Sequence, residues 1–295
     1  MKKLVEVFMC FFTVSKSKTV VWTVLTLSLL LSLGAGKDRA VNEPELMTPE
    51  GVRILKNKSF DDSPAARTKI LELYKDLRVT DVLDGMDAIG LRERGLMEKD
   101  IRPLWRDAEK LTHKIVGFAV TVRHVPSDVG IGQHSFETIE QFKNFERQEY
   151  ARSNFEAWLK VVKPGDVAVI DAAGVSEGGH TGSYNSLVFA SKGLVGVVTN
   201  NGIRDTDEII KVKKLPVYCR KGYSSRGIVP GRLLCESYNF PVTLGGVLVY
   251  PGDLIVGDGD GVIVVPREYA LKVGEIAGGI YTQDQKGRAE KLKAF

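Results

Sequence analysis

Cysteine is scarce in this chain. Its 295 residues hold three, Cys10, Cys219 and Cys235. No two stand at a CxxC spacing, so the sequence carries neither a thiolate metal motif nor a dithiol redox motif. Glycine-rich nucleotide loops are missing too. No GxGxxG follows a strand, and no GxxxxGK precedes Ser or Thr. Their absence removes the usual cradles of dinucleotide-dependent dehydrogenases and NTPases, and leaves a cofactor-dependent methyltransferase without its loop. HExxH is absent, and with it the paired-histidine zinc site of a metalloprotease. An excess of one charge is lacking as well. The formal net charge is +4, but Lys2, Lys3, Lys16 and Lys18 against Glu6 supply +3, leaving +1 for residues 37–295. So neutral a body has no electrostatic footprint for a polyanion, and nucleic acid is not an expected partner.

Long apolar runs are limited to one, Val20–Leu33. It is short for a membrane span of ~20 residues. Lysines precede it, and Ser32, Gly34, Ala35 and Gly36 follow, the layout of a secretory signal peptide. Residues 1–36 are therefore read as a signal peptide or an uncleaved N-terminal anchor. The expected location is periplasmic or secreted, with membrane contact only through this segment if it is retained. In an exported chain Cys219 and Cys235 either pair or remain buried thiols. Residues 37–63, with Pro44 and Pro49, form a polar extension, residues 64–280 the main domain, and residues 281–295 a charged tail.

Within the main domain, helical spacing covers Ala65–Leu77. A second helix starts near Thr80 or Asp81 and is ended by Gly85 and Gly90. Lys114–Val125 alternates as a strand, Ser153–Val162 reads as helical, and Arg267 to about Ala277 is a closing helix. Two Pro-Gly-Asp turns, Pro164–Asp166 and Pro251–Asp253, each feed an apolar strand and are read as two similar corners of one β-rich core. Pro241–Tyr250 reads as one strand with a bulge at Gly245-Gly246. Asp258–Gly261 (DGDG) resembles the start of a calcium loop, but Tyr269 stands at the twelfth position where Glu is needed, so it is read as a hairpin turn. Strands and helices interleave, which gives an α/β class with mixed sheets and a single main domain.

The segment richest in chemistry is Gly182–Asp205 (GSYNSLVFASKGLVGVVTNNGIRD) with the glycine-rich turn before it. A short helix from Tyr184 to Lys192, a Gly193 stop and a buried strand Leu194–Thr199 are expected. The loop Gly178–Ser183 is either an anion-binding backbone turn ahead of a helix or a tight turn with Ser183 as N-cap. His180 is a candidate acid, base or ligand, or a solvated loop residue. Asp205 is either a ligand for a divalent metal beside a carboxylate-clamping Arg204 or the N-cap of a helix with Glu208 as its capping-box partner. Asp171, ending a strand nearby, is a candidate for the same cleft or a turn former.

These segments together resemble the RraA-like family, which includes 4-hydroxy-4-methyl-2-oxoglutarate aldolases and ribonuclease-regulator proteins. The carrying segments are TDVLD at Thr80–Asp84, GFAVTV at Gly117–Val122, PGDVAVID at Pro164–Asp171, GLVGVVTNNGIRD at Gly193–Asp205, PVTLGGV at Pro241–Val247, and the second PGD with DGVIVVP closing at Pro266. The resemblance implies a swivelling β/β/α domain assembled as a homotrimer or hexamer. It also implies a lyase that releases pyruvate from 2-oxo acids, an aldolase or oxaloacetate decarboxylase. Asp205 would then ligate Mg²⁺ or Mn²⁺ and Arg204 hold the pyruvyl group. Gly182 and the backbone N–H groups of Ser183, Tyr184 and Asn185 would bind the substrate carboxylate. Family aldolases carry an acid twenty residues before the Arg-Asp pair, and here that position is Ser183, so His180 or Glu177 is the candidate replacement base. The alternatives are a non-catalytic binding or regulatory member, and an enzyme of the same fold acting on a different, sugar-derived acid.

Overall fold

The computed structural model describes residues 54–127, 135–172, 178–220, 225–228 and 231–295. The N-terminal segment read as a signal peptide or anchor and the candidate base Glu177 lie outside them. A mixed sheet organises the rest. Strands β1 (Ile101–Pro103), β2 (Ile115–Pro126), β3 (Asp166–Asp171), β4 (Leu194–Thr199), β5 (Val217–Arg220), β6 (Leu233–Tyr238), β9 (Leu254–Asp258) and β10 (Gly261–Val265) run in the order β1-β5-β4-β3-β2-β9-β10, with β6 also on β2. The short β7 (Val242–Leu244) and β8 (Val247–Val249) form a separate pair. β2 through β5 are joined in parallel, the other pairings being antiparallel.

The sheet nearly closes on itself. Met97 N–H donates to Val262 O at 2.9 Å and Val264 N–H to Gly95 O at 2.8 Å, so the chain entering β1 covers the edge of β10 while β1 pairs with β5 at the opposite end. Covering both edges removes the unpaired backbone groups that an open sheet exposes. Alternation then sorts side chains into layers. Val167 and Val169 of β3 point into an inner core with Ile115, Val198, Tyr218 and Ile255. Ala168 and Ile170 point outward to Trp158, Phe189 and Ile209.

Helices cover the outside: α1 (Pro64–Tyr74), α2 (Val79–Ala88), α3 (Ile139–Ser153), α4 (Ser183–Ser191), α5 (Thr206–Val212) and α6 (Ala270–Leu292). α1, α2 and α6 pack over β2, β9 and β10 around Tyr74, Met86, Phe118 and Val273. The two Pro-Gly-Asp corners are alike in detail. In each, the Asp carboxylate accepts the N–H three residues earlier, Lys163 to Asp166 at 2.7 Å and Tyr250 to Asp253 at 2.9 Å, and each glycine is left-handed, at φ +84° and +83°. The corners flank β2 at Phe118, whose ring carries Arg67 and Arg267 at 4.2 and 4.3 Å.

Several elements differ from their sequence-based expectation. α2 begins at Val79, earlier than expected, and the Asp81 carboxylate in its first turn accepts from both the backbone N–H and the guanidinium of Arg78; Gly85 does not end it. Gly85 lies inside the helix because a Cβ there would stand 3.0 Å from Ala277 Cβ; it serves close packing on α6, and Gly90 at φ +84° makes the stop. Pro241–Tyr250 is a hairpin rather than one bulged strand, since Gly245 and Gly246 are both left-handed (φ +56° and +77°), the pattern of a two-residue hairpin turn. Ser153–Val162 is helical only as a 3₁₀ turn, Ala157–Val161. The longer helix is α3, in a stretch without a core-facing apolar stripe. The closing helix runs on to Leu292 on an exposed, charge-paired surface. Asp258–Gly261 is a hairpin turn between β9 and β10. Cys219 and Cys235 are both free, burial pushing their thiols up to about 12 and about 11.

Candidate active site

β3 and β4 are parallel neighbours, and the loops leaving their carboxyl ends lead into α4 and α5. Ligands of α/β sheets bind outside such strand ends. Here the two loops are tied together by backbone bonds: His180 N–H to Gly202 O at 3.0 Å and Arg204 N–H to Thr181 O at 3.1 Å. Gly179 also bridges to Gly202 and Gly227. The sequence-distant turn and Arg-Asp pair thus become adjacent.

Asp205 begins α5 in the left-handed region, φ +56° and ψ +38°, and its side chain makes no cap bond. The expected capping box with Glu208 is not formed. Instead the carboxylate turns back across the loop: Ser183 N–H donates to Asp205 Oδ2 at 3.1 Å, and Arg204 Nε donates to Oδ1 at 3.3 Å. Partial burial pushes the Asp205 carboxyl up, but the Ser183 N–H and the Arg204 guanidinium outweigh it and hold the carboxyl below its usual range. A non-glycine residue held left-handed by its surroundings is a mark of functional sites. Gly182 explains how the carboxylate fits, since a Cβ at that position would stand 2.7 Å from Asp205 Oδ2.

Ser183 is the first residue of α4, and Gly182 rather than Ser183 is its N-cap. The Ser183 N–H is engaged by Asp205, so of the three expected anion-binding N–H groups it secures the neighbouring carboxylate. Those of Tyr184 and Asn185 lie in the first turn, where no intrahelical acceptor exists. Ser183 Oγ also lies 2.9 Å from Glu208 Oε2 and 3.3 Å from Asp205 Oδ2. An acid, Glu208, thus stands beside Ser183, the position where the resemblance implies one.

His180 is brought to the same cavity but is 1% exposed. Its Nε2 lies 3.2 Å from His124 Nδ1, and its ring meets Phe155 at 4.8 Å. Burial, with His124 adding to it, pushes the His180 imidazole well below its usual pKa; burial takes His124 down to about 4, against an opposing Phe155 carbonyl. Both rings are neutral at neutral pH. Asp171 is not brought in: it accepts from Asn200 Nδ2 at 2.8 Å and pairs with Arg123, bracing the strand end.

The cavity, of about 470 Å³, is lined by Gly182, Tyr184, Asn185, Arg204 and Asp205 together with His180. Its far wall comes from α3 through Lys143, Glu146, Arg147 and Tyr150. Sequence reasoning missed this wall. The signal was Thr138-x-x-Gln141, a capping box formed in the structure, ahead of residues three and four apart.

The RraA-like family, described as Aldolase/RraA, matches residues 79–264. The chain belongs to the RraA-like family. Among RraA-like relatives, a protein of Halalkalibacterium halodurans named "Putative 4-hydroxy-4-methyl-2-oxoglutarate aldolase" is 38% identical over 104 residues, 35% of this chain and 48% of that protein. The chain therefore spans about half the length of that relative. The crystal structure of Streptomyces coelicolor RraAS2, an unusual member of the RNase ES inhibitor RraA family, superposes with a TM-score of 0.57 at 23% identity, covering 79% of this chain and all of that one. A structure described under novel cellulases from gut-associated microbes matches with a TM-score of 0.59 at 26% identity, over 79% of this chain and 91% of its own. The RraA-like mixed α/β fold with one main domain is thereby shown.

Proposed function

We propose that this RraA-like protein is a divalent-metal-dependent lyase that cleaves 2-oxo acids and releases pyruvate, in the manner of a 4-hydroxy-4-methyl-2-oxoglutarate aldolase or oxaloacetate decarboxylase. The observation that carries this reading is the meeting of Arg204, Asp205 and the start of α4 at one cavity. The donors suit Mg²⁺ or Mn²⁺. Asp205, Ser183 Oγ and Glu208 offer hard oxygen atoms; among the described residues no group of three or more His, Cys, Asp or Glu is placed to hold a metal ion by itself, so waters and substrate would complete the coordination. Mg²⁺ characteristically takes one or two carboxylates and keeps waters and substrate oxygens for the rest.

A bound ion would supply Lewis-acid polarisation of the 2-keto oxygen. Arg204 presents its planar fork to the same end of the substrate, where its charge meets the negative charge that develops on that oxygen as the C–C bond breaks. The N–H groups of Tyr184 and Asn185 orient the substrate carboxylate. Ser183 and Gly182 hold Asp205 in position. For proton removal from the 4-hydroxyl the candidate is His180, which lines the cavity together with Glu146 and Glu156. It is neutral and thus able to accept, though its depressed basicity makes it a weaker base than an exposed imidazole.

The test is pyruvate release from 4-hydroxy-4-methyl-2-oxoglutarate or oxaloacetate with added Mg²⁺. The expected outcome is turnover in the wild type and a loss of at least about a hundredfold in Asp205→Ala. No turnover in the wild type, or equal turnover in the variant, overturns the reading. One observation favours a second reading, a non-catalytic binding member of the family: Ser183 replaces the acid, and Asp205 is already engaged by Ser183 and Arg204. Calorimetric titration with Mg²⁺ separates the two, since a pure binder need not take the ion. We further propose export through residues 1–36, which amino-terminal sequencing of the mature protein tests directly.

A further inference from the structure

The α3 wall of the cavity carries its own chemistry. Lys143, Glu146, Arg147 and Tyr150 stand at i, i+3, i+4 and i+7, one face of a helix. Their charges are not equivalent. Lys143 Nζ lies 2.7 Å from Glu146 Oε2, so that pair largely cancels. Arg147 contacts the neutral side-chain oxygen of Asn144, and no carboxylate among the described residues pairs with it. Its positive charge is therefore left at the cavity. Tyr150 joins this wall to the cavity floor: its ring meets Phe155 at 6.0 Å, and Phe155 meets His180. Burial pushes the Tyr150 hydroxyl up and Glu146 adds to this, while Arg204 acts in the opposite sense. The phenol is thus a protonated donor within electrostatic reach of Arg204. One cavity is thus lined by two cations from different elements, Arg204 from the β4–α5 loop and Arg147 from α3, together with the Tyr150 phenol. A monocarboxylic 2-oxo acid has no use for the second cation.

We propose that Arg147 is a specificity-determining residue that binds the distal carboxylate of a dicarboxylic 2-oxo acid, with Tyr150 donating a hydrogen bond to the same end of the substrate. This rests on the lyase reading for the orientation of the substrate, 2-oxo end at Arg204. A guanidinium takes a carboxylate through two parallel bonds, which an ammonium cannot reproduce. Arg147 is exposed on a surface helix, so its replacement leaves the core untouched.

The experiment measures binding of 2-oxoglutarate and of pyruvate by calorimetry, in Mg²⁺, to the full chain and to Arg147→Ala, Arg147→Lys and Tyr150→Phe. Neither ligand carries the 4-hydroxyl that retro-aldol cleavage needs. In Arg147→Ala the affinity for 2-oxoglutarate is expected to fall on the order of tenfold to a hundredfold, with pyruvate within about twofold. Arg147→Lys recovers part of the loss, and Tyr150→Phe loses less than Arg147→Ala. In turnover of oxaloacetate, Arg147→Ala raises KM with kcat little changed. Equal effects on both ligands, no effect on either, or a wild type that binds neither would overturn the proposal. Failure of the lyase reading is read separately, as binding without turnover; the 2-oxoglutarate-to-pyruvate ratio still reports on Arg147.

Discussion

At the scale of single residues, the site depends on an absent side chain as much as on those present. Gly182 has φ −105°, a conformation that any residue adopts, so its backbone does not require glycine. What requires it is the Asp205 carboxylate, 2.7 Å from where a Cβ would stand. Gly182→Ala is therefore expected to displace the carboxylate while sparing the fold: Mg²⁺ affinity and kcat/KM fall by at least about tenfold, and thermal stability shifts by no more than a few degrees. Parallel melting curves and Mg²⁺ titrations decide it, and unchanged Mg²⁺ affinity would remove the positional role assigned to Gly182. Ser183 shows the opposite case. Its neutral hydroxyl stands where the family resemblance implies an acid, and it lies against Glu208, so α5 supplies a negative charge beside it.

At the scale of elements, β2, the loop before α4 and the turn after α3 meet at two buried imidazoles. His124 is on β2, His180 on the loop, and Phe155 lies between α3 and the 3₁₀ turn, in contact with both rings. Thr181 Oγ1 is the polar neighbour of His180 at 3.5 Å. Burial holds both histidines neutral, with His124 depressed from 6.5 to about 4. Between those values the unfolded chain binds a proton that the folded chain refuses, so stability is full above about pH 6.5 and declines as pH falls toward 4. For His124 alone the loss is on the order of 3 kcal/mol. Urea unfolding across this range is expected to show the decline, and His124→Gln to flatten it; a wild-type profile flat from pH 7 to pH 4 would contradict the burial argument.

At the scale of the whole molecule, the nearly closed sheet leaves apolar side chains of α4 uncovered beside the site. Tyr184 is 74% exposed and Leu187 46%. We propose that these surfaces are covered by neighbouring copies in a homotrimer or hexamer, so that the site lies near a contact between protomers. Light scattering on the purified chain is expected to give three or six times the 32.5 kDa of the full sequence, less any cleaved leader; a monomer at all concentrations would overturn it. The same scale governs which loops carry chemistry. Parallel strands β3 and β4 deliver their following loops to one end of the sheet, and the bonds from His180 to Gly202 and from Arg204 to Thr181 hold those loops side by side.

What the sequence determined by itself was local or repetitive. The apolar run of β4, the Gly193 stop, the two Pro-Gly-Asp corners and the DGDG hairpin each follow from a few adjacent residues whose backbone preferences agree. The order of the family-like segments was legible for the same reason, and it named Arg204 and Asp205 together. Contacts between distant segments were not legible, because periodicity records which face is buried and not against what. Gly85 reads as a stop until α6 lies across it, and Gly245-Gly246 reads as a bulge until β7 and β8 pair. The Asp205–Glu208 spacing satisfies a capping box on paper. In the folded chain Asp205 accepts instead from the N–H of Ser183, which the bonds tying the two loops together place beside it. The far wall of the cavity was decided wholly by tertiary structure: α3 has no core stripe to announce it, and only its placement against Phe155 and the Arg204 loop turns Arg147 and Tyr150 into part of the site.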